Sequence, residues 1–298
     1  VIVLPDMMWG NYNMTFCVRN NASIVHFKAF DDKLTRFNID SFEQVVRDLA
    51  KKNDKIITIL NFPHNPCGYS LSVAEAQRVA EILIDIAQQG TNVVAACDDA
   101  YFGLCFEEET YKESIFSLLA GTNKRLVAVK LDGATKEEYA WGLRTGFLTY
   151  GVWADNKIIL EALEKKTAGC IRGNISNASH LSQTIILKSM EDENYEMYKL
   201  EKFELLKKRA LKIKTVLKDP KFKNAFDVYP FNSGYFMCIR LKDVDAEQLR
   251  VHLLDNYGTG LISIGSQNIR VAFSCLEEND VETLFDIILS GIADLKKG

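Results

Sequence analysis

Short, continuous apolar runs alternate with segments of helical periodicity through the first half of the chain. The runs fall at residues 1–4, 24–27, 56–61, 93–97, 126–130 and 146–151. Several are β-branched and unbroken, the pattern of strands covered on both faces. Between them, Phe42, Val45, Val46 and Leu49 form the i, i+3, i+4, i+7 stripe of an amphipathic helix over 41–52. A second helix is predicted over 72–89. Ser72 and Glu75 have the spacing of a capping box, and Gly90 suits the position after the last turn. Strands alternating with helices predict an α/β fold, a three-layer arrangement around a mainly parallel sheet.

The second half changes character. Helical patterns at 155–167 and 176–190 lead into a long, highly charged helix over 193–218, which Asp219-Pro220 ends. Strands at 226–229 and 235–241, a helix at 246–257, strands at 261–264 and 269–274, and a helix at 279–296 complete the chain. This is an α+β pattern. The expected division is a large domain over 1–192 and a smaller C-terminal domain over 193–298, entered by the long helix.

Composition narrows the function classes. Lys and Arg number 36 against 40 Asp and Glu, a net charge of −4, which gives no electrostatic case for binding nucleic acid or an anionic membrane. No apolar run approaches the roughly 20 residues of a membrane-spanning helix. The seven cysteines, Cys17, Cys67, Cys97, Cys105, Cys170, Cys238 and Cys275, show no CxxC spacing, and the four histidines are equally dispersed. Reduced, buried thiols in a cytoplasmic protein, without a metal site, are therefore expected. The chain opens on Val1-Ile2-Val3-Leu4-Pro5, a strand pattern without an initiator Met.

Functional side chains of open α/β sheets gather at the carboxyl ends of the strands. Residue Asn65 follows the third run, inside a turn braced by Pro63, Pro66 and Gly68. Asp98 and Tyr101 follow the fourth run, and Lys136 and Arg144 follow the fifth. Each alone has an ordinary reading: a turn residue, a cap, a core phenol, surface charges. In this order an amide, a carboxylate with a phenol, an amine and a guanidinium suit an aldehyde cofactor that carries a ring nitrogen and a phosphate.

Asn65-Pro66-Cys67-Gly68-Tyr69, Asp98-Asp99-Ala100-Tyr101, Gly133-Ala134-Thr135-Lys136 and Gly142-Leu143-Arg144-Thr145-Gly146 resemble the motifs of the fold type I, class I/II aminotransferases, which depend on pyridoxal 5′-phosphate. Arg270, in Ile269-Arg270-Val271-Ala272-Phe273-Ser274, matches their C-terminal arginine. The resemblance implies a catalytic Lys136 that holds the cofactor as a Schiff base and then carries a proton at Cα. It implies Asp98 as the partner of the pyridine nitrogen, and Asn65 and Tyr101 as donors to the ring oxygen. Arg144 would contact the phosphate, and Arg270 would grip the substrate α-carboxylate. Trp9 lies where the family places the aromatic that stacks on the ring; a core residue behind the first strand is the other reading. Two positions depart from the pattern. Gly133 replaces a hydroxyl residue that contacts the phosphate, a load Thr135 could take, and Cys67 replaces a threonine.

Ile171-Arg172-Gly173-Asn174-Ile175-Ser176-Asn177 resembles the stretch of aspartate and aromatic aminotransferases whose arginine reaches the neighbouring subunit's site. Arg172 in that role implies a dicarboxylic amino acid with a 2-oxo acid partner; a helix-end surface arginine is the plainer reading, and aromatic substrates stay open. The resemblance implies ping-pong amino-group transfer in a homodimer. A lyase or decarboxylase of the same fold, or a cofactor-binding sensor module of a transcription regulator, are the alternatives. It also implies that an N-terminal arm, a further strand, a phosphate-cradling loop and a partner-reaching tyrosine precede Val1. The chain is then expected to be a piece of a longer protein, weakly active or inactive alone.

Overall fold

The apolar runs of the first half become the strands of one sheet. The structure, a computed structural model, describes residues 1–297. They fall into two compact units. The first comprises Val1–Ala29, Phe37–Pro63 and Ser70–Tyr195; the second comprises Phe30–Arg36, His64–Tyr69 and the residues from Glu196 onward.

In the first unit β1 (Ile2–Pro5), β2 (Ile24–Phe27), β3 (Lys55–Asn61), β4 (Asn92–Asp98), β5 (Leu126–Gly133) and β6 (Gly146–Gly151) form a sheet in the order β2-β1-β3-β4-β5-β6. The pairings are parallel except β5 with β6. Burial explains the unbroken apolar runs: Ile56, Ile59 and Leu60 on β3 and Val93, Ala95 and Cys97 on β4 are all buried. The register sets Asn61 beside Asp98 and Asp98 beside Leu131, so β3 and β4 end level and β5 runs two residues further along the same edge.

Helices α1 (Ile39–Ala50) and α2 (Val73–Gln88) pack by the stripes the periodicity predicts. On α2 the buried face is Ala76, Val79, Ala80, Ile82, Leu83, Ile86 and Ala87. Its capping box is present: Ser72 N–H donates to Glu75 Oε2 at 2.8 Å, and Glu75 N–H donates to Ser72 Oγ at 3.3 Å. Helix α1 starts two residues earlier than expected, because the Asn38 side chain accepts from Ser41 N–H and caps it. Two one-turn helices follow, α3 (Phe116–Leu119) and α4 (Ala134–Glu137).

The next helices have different bounds from those the pattern predicts. Asn156 caps α5 (Lys157–Asn174), which runs seven residues past the expected end, and Ser179 caps α6 (His180–Met190), which starts four residues late. Helix α5 has no buried residue and α6 buries Ile186, so packing gives little periodicity from which to read their ends. Their apolar side chains stand exposed, Ile158 at 80% and Leu181 at 71%.

The second unit holds all of α7 (Tyr195–Val216) but its first residue, then β7 (Phe226–Val228), β8 (Phe236–Leu241), α8 (Ala246–Tyr257), β9 (Ile262–Ile264), β10 (Asn268–Ala272) and α9 (Val281–Leu295). Its sheet is antiparallel, in the order β7-β8-β10-β9. Phe222, Phe226 and Phe285 pack as a buried aromatic cluster beneath it, with ring centroids 5.6 to 6.4 Å apart. The segment Phe30–Arg36 joins this unit through Phe30, whose ring meets those of Tyr69 and Tyr229 edge-on at 5.5 Å. Among the described residues no helix is long and apolar enough to cross a membrane.

Candidate active site

In the first unit the predicted residues meet at the carboxyl edge of the parallel strands. Asp98 closes β4, and its carbonyl accepts from Asn61 Nδ2 at 2.9 Å. Both carboxylate oxygens are held: Oδ1 accepts from Ala100 N–H at 3.2 Å, and Oδ2 accepts from the Tyr12 phenol. Tyr101 lies in the turn just beyond, 4% exposed. Strand β5 then feeds the single turn α4, whose first residue Ala134 is buried and donates its N–H to Thr145 O at 3.2 Å. That turn presents Lys136, whose Nζ lies 5.1 Å from the centroid of the Tyr101 ring.

The Lys136 amine is only partly exposed. Burial pushes its pKa below the usual lysine value; the charge of Asp98 opposes that shift, and the Arg144 guanidinium adds to it. Arg144 itself is exposed, adopts the left-handed region at φ 52°, and donates to Trp141 O at 3.4 Å. A non-glycine residue there costs about 1–2 kcal/mol, the kind of strain that collects at functional sites. Trp9 is 42% exposed, which overturns the core alternative. The buried aromatic of that segment is Tyr12, set at 82° to Trp9 with centroids 5.6 Å apart. At Gly133 a side chain would begin 3.9 Å from Thr135 Oγ1, so a hydroxyl is present close to where the family carries one.

In the second unit Asn65 and Arg270 touch. Arg270 Nη1 donates to Asn65 Oδ1 at 3.0 Å, and the guanidinium carbon sits 4.2 Å from the centroid of the Phe236 ring. The Arg270 Nε is buried with no hydrogen-bond partner among the described residues. Asn65 is held by its turn: Gly68 N–H donates to His64 O at 2.7 Å, and His64 N–H donates to Tyr69 O at 2.8 Å. Arg172 has a local partner, donating to Ser176 Oγ at 2.6 Å from the exposed last turn of α5.

Sequence reasoning missed two features. One is Tyr12 on Asp98, a pair 86 residues apart with no local signal. The other is a partly buried charge cluster, in which Lys130 pairs with Asp132 and with Oδ2 of the buried Asp99 at 3.3 Å. Here a signal existed, because Lys130 and Asp132 lie two apart on one strand and so share a face. Burial pushes the Asp99 carboxyl up to about 6, with the Ser114 hydroxyl and Lys130 pulling it back. A raised folded-state pKa stabilises fully below the unfolded value of about 4, and that contribution is lost as pH rises through about 6. Asp99→Asn, which cannot titrate, is therefore expected to gain stability relative to the parent between pH 4 and 7. The gain should be on the order of 2–3 kcal/mol, read as the difference between two denaturation curves. Parallel curves would show that Asp99 keeps an ordinary pKa.

Four of the seven cysteines are less buried than a core reading implies: Cys17 and Cys105 are partly exposed, and Cys170 and Cys275 are exposed. Among the described residues all seven are free thiols, and no group of His, Cys, Asp and Glu side chains could hold a metal ion.

Comparison with known proteins places this arrangement. A probable aminotransferase of Aspergillus fumigatus is 28% identical over 156 residues, 49% of this chain and 34% of that protein. A kynurenine–oxoglutarate transaminase of Dictyostelium discoideum is 31% identical over 85 residues, 28% of this chain and 18% of that protein. The chain thus matches about a third of the first of these curated relatives and less than a fifth of the second. The crystal structure of an aminotransferase from Anaerococcus prevotii superposes with a TM-score of 0.84 and 25% identity, covering 98% of this chain and 70% of that one. The profile of aminotransferase class I and II matches residues 1–288. The chain belongs to the class I and II aminotransferase family.

Proposed function

We propose that the chain carries the catalytic residues of a pyridoxal-phosphate-dependent aminotransferase, which moves an amino group from a dicarboxylic or aromatic amino acid to a 2-oxo acid by a ping-pong mechanism. The observation that carries this is the Lys136 amine, partly buried, lowered in pKa, set over Tyr101 and within the fields of Asp98 and Arg144. The side chains fit the cofactor. A lysine that gives up its proton more readily suits an aldehyde, a doubly held carboxylate suits a protonated ring nitrogen, and an exposed guanidinium suits a phosphate. When bound, pyridoxal phosphate supplies the aldehyde that takes the amino group and the electron-withdrawing ring that makes the α-proton acidic.

The rest falls to the chain. Lys136 Nζ, whose proton burial makes easier to lose, takes the α-proton of the substrate and returns it. Asp98, its two oxygens held by Tyr12 and Ala100 at the end of β4, favours a proton on the ring nitrogen. Arg270 has one arm tied to Asn65 and one face on Phe236, while its buried Nε lacks a protein acceptor. An orphaned guanidinium donor fits a carboxylate ligand, and a two-point grip there would fix which Cα bond is aligned for cleavage. Arg172 would serve the distal carboxylate of a dicarboxylic substrate in the neighbouring subunit. Exposed Ile158, Leu181 and Leu187 on α5 and α6 support a second copy covering that face. The kynurenine–oxoglutarate relative supports an aromatic donor as well.

A panel of amino donors tests the reading. Aspartate, glutamate or an aromatic amino acid is expected to turn over only when a 2-oxo acid is present, in protein that elutes as a dimer. Keto acid released with ammonia, beyond one equivalent per site and without an acceptor, would identify a lyase instead. A lone protomer on the column would remove Arg172 from substrate binding.

A further inference from the structure

Two consecutive carboxylates at the end of β4 are treated in opposite ways. Asp99 is paired with a cation, Lys130, at 3.3 Å. Asp98 is held by a neutral phenol, that of Tyr12, which donates to Oδ2, and by the Ala100 N–H on Oδ1. Tyr12 is 8% exposed and belongs to a buried cluster with Ile2, Leu4 and Ile59. Its ring meets those of Trp9, at 5.6 Å, and Phe16, at 6.2 Å, and its N–H donates to Trp9 O at 3.1 Å. The hydroxyl is thus aimed by the packing of its ring in this cluster. Burial, together with the negative charge of Asp98, pushes the phenol far above its usual pKa, so it stays a donor at any working pH.

We propose that Tyr12 is a positioning residue for Asp98, fixing the direction of its carboxylate toward the cofactor's pyridine nitrogen while leaving its charge uncancelled. The proposal rests on the aminotransferase reading above. The physical contrast is with a cationic partner. Lysine or a protonated histidine in the place of Tyr12 would hold the carboxylate as firmly, but would offset the negative charge that a protonated ring nitrogen needs. A neutral donor gives orientation alone. It also ties the carboxylate to the segment that carries Trp9, so one short stretch after β1 sets both the aromatic and the carboxylate of the site.

Tyr12→Phe removes one oxygen and keeps the ring. In protein loaded with pyridoxal phosphate, the cofactor dissociation constant is expected to rise about 10-fold or more, the range for losing a hydrogen bond to a charged group. The pH dependence of the cofactor's absorbance should shift. Turnover should fall by a similar factor while KM for the amino donor stays within about two-fold, since Arg270 is untouched. Thermal unfolding of the cofactor-free protein should fall only modestly, because the bond is also present without the cofactor while the ring stays packed. The decisive comparison is the same change in an Asp98→Asn background, where Tyr12→Phe should cost nothing further in cofactor affinity. Equal losses in both backgrounds, or no loss in either, would overturn the positioning role. Full-length parent protein that binds no pyridoxal phosphate at all would overturn the aminotransferase reading first, and the two failures are told apart by that control.

Discussion

Lys136→Ala is expected to lower amino-group transfer by roughly 10⁴-fold or more while leaving the fold intact. The size follows from the proposed reading, in which one atom both holds the cofactor and moves the α-proton. The intact fold follows from how Lys136 is placed. Its turn is built by backbone bonds, Ala134 N–H to Thr145 O at 3.2 Å and Glu138 N–H to Ala134 O at 3.2 Å, and is anchored by the buried Ala134. None of these uses the lysine side chain. Lys136→Arg should be as inactive as alanine, because guanidinium keeps its proton at every working pH and can act neither as nucleophile nor as base. The measurements are steady-state transfer from donor to 2-oxo acid and the absorbance change on adding donor, both against a melting curve of the cofactor-free protein. Activity above about one hundredth of the parent in either variant would remove Lys136 from the chemistry, and Lys130 would then be the lysine to test. That outcome is disfavoured by charge, since Lys130 lies between Asp99 and Asp132 and its pKa is raised rather than lowered.

What could be read from the sequence tracks how local each signal is. The strands of the first unit were legible because a buried parallel sheet demands uninterrupted apolar runs, and β3 and β4 supply them. The α2 cap was legible because Ser72 and Glu75 are three residues apart. The residues at the strand ends were legible as a series, since a parallel sheet delivers the ends of β3, β4 and β5 to one edge. Helices α5 and α6 were misjudged at their bounds because they bury almost nothing, so no stripe marks where they start and stop. Tyr12 and the Asn65–Arg270 contact were invisible for a different reason. Their partners lie 86 and 205 residues away, and a hydrogen bond across that separation is set by packing rather than by any spacing in the chain. The sequence offers Arg270 as a carboxylate grip and Asn65 as a ring donor. The structure adds that the two are in contact, so a change at one is felt at the other.

That contact makes Gly68 the second site of large expected effect. Gly68 sits at φ 69°, in the left-handed region, and its carbonyl accepts from Asn232 N–H at 2.9 Å, Ser233 N–H at 3.0 Å and Ser233 Oγ at 3.1 Å. A Cβ there would overlap the Phe236 carbonyl oxygen and come within 2.9 Å of the Ser233 carbonyl oxygen. Both obstacles are backbone, and Phe236 begins β8, paired with Ala272 of β10. Neither can swing aside as a side chain would. In Gly68→Ala the turn must move instead, and Asn65 moves with it, away from Arg270. The expected cost is about 3 kcal/mol or more, the left-handed backbone penalty plus overpacking. It would appear as a lower denaturant midpoint at unchanged slope. Protein that survives should show a raised KM for the amino donor, because the guanidinium loses the acceptor that orients it. Gly90→Ala is the control that separates the two contributions. Gly90 also has positive φ, 110°, but a Cβ there would meet nothing within 4 Å. It should cost only the backbone part, about 1–2 kcal/mol, with KM unchanged. Equal costs at the two glycines would mean that the turn yields freely around Phe236, and that Asn65 is not held where Arg270 needs it.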